Sequence, residues 1–72
     1  MKASELREYD DEALAGRLVE ETDNVFKLRF QHVTGQLDNY ARLTQARRDV
    51  ARIRTEIRTR EIAAAEAAEE NG

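Results

Sequence analysis

The chain has no cysteine, no proline and no tryptophan, three glycines among 72 residues, and aromatic side chains at only 6%. Without cysteine there are no disulfides, no thiolate zinc site and no cysteine nucleophile. Without proline nothing obliges a helix to kink or stop, so long uninterrupted helices are expected. No apolar run approaches the roughly 20 residues of a membrane span, and the charged N-terminus lacks the apolar core of a signal peptide. The expectation is a soluble cytoplasmic protein with no membrane contact.

An excess of charge of one sign is also missing. The net charge is −3, with 40% hydrophobic and 38% charged residues, a balance that suits helices carrying one apolar stripe and a wide polar remainder. The average conceals a strong asymmetry. From Met1 to Phe26 three basic residues face eight acids; from Lys27 to Arg60 nine basic residues face three acids; the last twelve residues hold four acids and no base. A basic middle between acidic ends points to a polarised binding surface. At 8.3 kDa the chain is one small domain that buries only about 60% of its unfolded surface, so its stability alone is marginal.

The pattern predicts an all-α fold, a long antiparallel two-helix coiled-coil hairpin with a short N-terminal helical turn. Ser4 is expected to cap that turn and Asp10 the first long helix, with Asp11 and Glu12 favouring the positive end of its dipole. The helix is expected over Asp11 to Thr34, roughly 36 Å at 1.5 Å per residue. At about 100° per residue, Leu14, Leu18, Val25 and Leu28 share one face, and Val19, Phe26, Phe30 and Val33 an adjoining stripe. Together they are wider than one partner helix needs, so the second stripe takes the N-terminal segment through Leu6 and Tyr9, or an external surface. Phe26 and Phe30 are expected to be core residues rather than base-stacking platforms.

Gly35 can take the left-handed conformation that ends a helix, and Asp38 or Asn39 can cap the next. The second helix then presents Tyr40, Leu43, Ala46, Val50, Ile53 and Ile57 at steps of three and four, a narrow antiparallel seam. Residues 1–63 form the hairpin domain. Residues 64–72, rich in alanine and glutamate, form an acidic helical tail with nothing large to bury.

Off that seam, Arg47, Arg48, Arg52, Arg54 and Arg58 fan over the second helix. Guanidinium groups suit phosphate, because their planar donors pair two oxygens at once and their charge displaces condensed counterions. On charge pattern alone, a solvated face with intrahelical ion pairs competes with RNA. Arg29, Thr34, Gln36, Asn39 and Arg42 gather around the turn, where polar side chains and amides can reach ribose hydroxyls and phosphates. On spacing alone Thr34 and Asn39 are equally well helix caps, and Gln36 merely solvated.

The residues Leu28-Arg29-Phe30-Gln31, then Thr34-Gly35-Gln36-Leu37 with Asn39, then Arg42-Leu43 and Arg47-Arg48-Asp49-Val50-Ala51-Arg52-Ile53 resemble the bacterial large-subunit ribosomal protein L twenty-nine family. The likeness begins at Lys2-Ala3-Ser4-Glu5-Leu6-Arg7 and continues to about Glu61. It implies a helical hairpin on large-subunit ribosomal RNA near the mouth of the polypeptide exit tunnel, part of the cytoplasmic ribosome and without catalytic activity. It implies a neighbouring ribosomal protein, L twenty-three, and exposure to nascent-chain factors such as trigger factor or the signal recognition particle. It assigns Lys2, Arg29, Thr34, Gln36, Asn39, Arg42, Arg47, Arg48, Arg52 and Arg54 to RNA.

No catalytic residue, cofactor, metal or small-molecule substrate is expected. His32, the sole histidine, has no second imidazole or thiolate to complete a transition-metal site. Asp10-Asp11-Glu12 and Glu20-Glu21 fit a cap and solvated faces better than paired catalytic carboxylates. The alternative from the residues themselves is a protein-interaction hairpin, an adaptor or oligomeric coiled coil whose arginines meet acidic partners.

Overall fold

A computed structural model describes residues 1–70, in which α1 spans Ala3–Arg7, α2 spans Asp11–Val33 and α3 spans Tyr40–Glu70. The two long helices form an antiparallel hairpin, and both α2 and the short α1 pack against α3. The result is a rod of 55 × 19 × 16 Å.

Local chemistry sets each boundary. Asp10 has extended backbone and accepts from the Ala13 amide at 2.7 Å, capping α2 where expected. At the other end Gly35 has φ 76°. Its amide donates to the His32 carbonyl at 3.2 Å, and the Gln36 amide reaches back to Gln31 at 2.7 Å. This is a Schellman termination, the paired return bonds that a left-handed residue after a helix permits. Of the two residues offered as caps for α3, Asn39 serves, its Oδ1 accepting from the Ala41 amide at 3.0 Å.

Ser4 does not cap α1. It lies inside the helix, and Lys2 holds the cap position without a side-chain bond. The Lys2 carbonyl instead accepts from the amides of Glu5 and Leu6. That register turns Leu6 inward, where burial of a leucine outweighs a single exposed cap.

The core is two small clusters joined along the seam. Away from the turn, Leu6 of α1, Leu14 of α2 and Ile53 of α3 meet, with Met1, Leu18 and Ile57 against them. Near the turn, Leu28 meets Leu43 and Ala46, flanked by Val25 and Leu37. Val50 is buried as well. Tyr40, expected in the seam, is half exposed and sets its ring edge-on to His32, centroids 4.9 Å apart. As the first residue of α3 it meets the last turn of α2, at the open end of the hairpin beyond the Leu28, Leu43 and Ala46 cluster.

The second apolar stripe of α2 is not covered. Val19 is 70% exposed, Phe26 70%, Phe30 61% and Val33 82%, so the expectation that the two phenylalanines belong to the core fails. Leu6 goes to the inner face with Leu14, and α1 sits on α3 rather than on the outer side of α2. Beyond Ile57 the last turns of α3 continue as helix, with Glu61 to Glu69 exposed. Asn71 and Gly72, the end of the expected 64–72 tail, lie outside the described residues.

Candidate nucleic-acid interface

Acids decide which arginines are free. Arg60 is a staple: Nη1 donates to Asp11 and Nε to Glu56, each at 2.9 Å, and Nη2 reaches the carbonyls of Leu6 at 3.2 Å and Arg7 at 3.3 Å. One side chain thus ties the end of α1 and the start of α2 to α3. Its hydrogen bonds to Asp11 and then Glu56 raise its pKa above the ordinary guanidinium value. Arg17 pairs with Glu20 and Glu21, and Lys27 with Asp23. Asp49 accepts from Gln45 Nε2 and lies 3.6 Å from the Met1 amine.

Once these acids are engaged, Arg29, Arg42, Arg47, Arg48, Arg52, Arg54 and Arg58 make no ion pair among the described residues. The competing picture of arginines neutralised within their own helix does not hold for this set. All seven are exposed, so each guanidinium keeps its charge and most of its donors for a partner.

The hairpin sorts them into distinct places. Arg29 of α2 and Arg47 and Arg54 of α3 line one groove between the long helices, together with Thr22, Phe26 and Val50. Three cations and no acid border this groove. At about 100° per residue, Arg47, Arg54 and Arg58 fall within roughly 40° of one another on a single flank of the Val50 seam. Arg48 follows around the helix, sharing a shallower recess with Arg47 and Thr44.

Other predicted residues lie elsewhere. Arg42 and Asn39 border a recess on the opposite flank, with Asn24, Gln45 and Asp49. Arg52 turns to the N-terminal segment, its Nη1 donating to the Met1 carbonyl, in a recess bordered by α1. Lys2 is exposed at the start of α1. At the turn, the Thr34 hydroxyl donates within its own helix, to Phe30 at 3.0 Å and Gln31 at 3.2 Å, which leaves its lone pairs for a partner. Gln36 is exposed. Thr34 and Asn39 therefore do act as caps, and capping leaves each with unused hydrogen-bonding capacity.

Two features of the surface escaped the sequence reading. Phe26 is a wall of the arginine groove, and the signal for it was the apolar arc of α2, wider than one seam requires. Arg60 counted as one more cation, because only Glu56 among its partners is near in sequence, while Asp11 and the carbonyls of Leu6 and Arg7 are remote. Among the described residues no cluster of three or more His, Asp or Glu side chains can hold a metal, and no helix is long and apolar enough to cross a membrane.

The family described as Ribosomal L29 protein matches residues 4–60. The chain is 57% identical over 63 residues to large ribosomal subunit protein uL29 of Carboxydothermus hydrogenoformans, a match covering 88% of this chain and 91% of that one. It is 54% identical over 61 residues to the protein of the same name from Streptomyces griseus, covering 85% and 82%. To that of Pseudothermotoga lettingae it is 50% identical over 62 residues, covering 86% and 94%. The matched span holds the hairpin turn, both buried clusters and every unpaired arginine, and with such identity along most of each chain the protein belongs to the ribosomal L29 protein family.

Proposed function

We propose that the chain is a structural constituent of the large ribosomal subunit that binds large-subunit ribosomal RNA through its unpaired arginines, near the polypeptide exit tunnel, and supports translation without catalysis. The observation that carries this reading is the division of charge within the hairpin. Asp11, Glu20, Glu21, Asp23 and Glu56 pair with Arg17, Lys27 and Arg60, while Arg29, Arg47 and Arg54 border a groove that contains no acid. A rigid seam holds these guanidinium groups at fixed spacing, and phosphate contacts of this kind set position and register on folded RNA. Arg48, Arg42, Gln36, Asn39, Thr34, Arg52 and Lys2 extend the contact around the turn and toward α1. Similarity to the family supports a cytoplasmic ribosomal location, ribosomal protein L twenty-three as neighbour, and access for trigger factor or the signal recognition particle.

The test is assembly. Arg47→Glu with Arg54→Glu reverses two charges that touch neither buried cluster, so helicity by circular dichroism is expected to hold. Occupancy in purified large subunits, measured by quantitative mass spectrometry, is expected to fall about tenfold or more. Wild-type occupancy at physiological salt contradicts the proposal.

A further inference from the structure

We propose that the exposed stripe of α2 is a stacking platform for unpaired bases, with Phe26 and Phe30 as its two rings and the Arg29, Arg47 and Arg54 groove holding the phosphates beside it. This rests on the RNA-binding reading above and specifies the nucleic acid: a single-stranded or looped segment, not an unbroken duplex.

The stripe is an unpartnered face. Val19, Phe26, Phe30 and Val33 are all more than 60% exposed, and they run roughly 21 Å along α2 at 1.5 Å per residue. Phe26 and Phe30 lie one turn apart on the same side, as residues four apart must. Phe26 also forms a wall of the groove with Arg29, Arg47 and Arg54, so the aromatic surface is continuous with the cationic one.

Charge and side-chain type select the occupant. A second copy of the chain brought face to face would oppose two rows of unpaired arginines. A stretch of duplex RNA offers phosphates to the groove but no apolar surface to the rings. Unstacked nucleotides offer both, a π-face to lie on each phenyl ring and a phosphate per nucleotide for the guanidinium groups, the combination by which single strands are held. Arginine rather than lysine in the groove fits this further, since a planar guanidinium can stack as well as pair.

The experiment uses the full chain with two probes, an unstructured twelve-nucleotide RNA and a twelve-base-pair RNA duplex, each titrated across salt by fluorescence anisotropy. Phe26→Leu with Phe30→Leu keeps the stripe apolar and removes the rings. The expected result is a loss of about tenfold or more for the single strand, little change for the duplex, and an unchanged salt slope. Equal affinity of the leucine variant and wild type for the single strand overturns the inference while leaving the arginine reading standing. Unchanged RNA affinity together with lost incorporation into subunits assigns the stripe to a protein neighbour and also overturns it. Salt-insensitive binding of both probes by wild type contradicts the underlying RNA reading itself.

Discussion

Truncating Ile53 and truncating Phe26 to alanine separate a core side chain from a surface one, although sequence patterning assigns both to buried stripes. Ile53 is 0% exposed where three helices meet, against Leu6 and Leu14. Removing a fully buried isoleucine costs the transfer of its methyl groups and leaves a cavity, about 2–5 kcal/mol in all. We expect about 3 kcal/mol, since alanine recovers a few tenths in helix propensity. At about 0.05–0.15 kcal/mol per residue, the whole domain holds only about 4–11 kcal/mol. The melting temperature therefore falls by about 12–24 °C. Phe26 is 70% exposed, so only some 60 Å² of a ring-bearing side chain of about 200 Å² leaves water, at most about 1.5 kcal/mol at 25 cal/mol per Å². The better helix propensity of alanine offsets about 0.5 kcal/mol of that, and the net change stays below about 1 kcal/mol. Thermal unfolding followed by far-ultraviolet circular dichroism reads both. If Phe26→Ala costs as much as Ile53→Ala, the outer stripe is buried in the free protein and its assignment as an open surface is wrong.

Other substitutions probe the hairpin itself. A Cβ built at Gly16 meets nothing within 4 Å, so Gly16→Ala is expected to stabilise the helix by about 1 kcal/mol, a rise of about 4–8 °C in melting temperature; an unchanged or lower value means the site is constrained by something other than helix propensity. Gly35→Val forces a β-branched residue into φ 76°, and a loss of about 2 kcal/mol or more is expected in urea unfolding. Removing residues 64–72 deletes acids and no large apolar side chain, so competition against the full chain for reconstitution into subunits is expected to show equal incorporation. A tenfold disadvantage, about 1.4 kcal/mol, would reveal a contact made by the tail.

The hairpin was legible in the sequence because its determinants are local. Asp10, Gly35 and Asn39 act within a few residues of themselves, and the steps of three and four from Leu43 to Ile57 place one face of α3 against α2 whatever the rest of the chain does. What was not legible depends on which elements meet. Whether Phe26 and Phe30 are covered turns on where α1 lands, and α1 lands on α3. Arg52 and Arg60 sit on the same helix as Arg54, and Arg60 differs locally only by Glu56 one turn before it, yet the N-terminal segment engages them because it packs along their flank. The candidate RNA-binding residues were legible as a composition of arginines around a turn; their division into a groove, a turn and an N-terminal flank required the packed helices.

The most direct test of the account is the salt dependence of binding between the full chain and large-subunit ribosomal RNA. Each phosphate neutralised contributes about 0.7–0.9 to the slope of log affinity against log salt. Replacing Arg29, Arg47 and Arg54 together by glutamine, with helicity verified by circular dichroism, is predicted to make that slope shallower by about 2–3 and to weaken binding across RNA sequences alike. A slope identical in wild type and the triple variant would contradict the claim that these unpaired arginines are the RNA-binding surface.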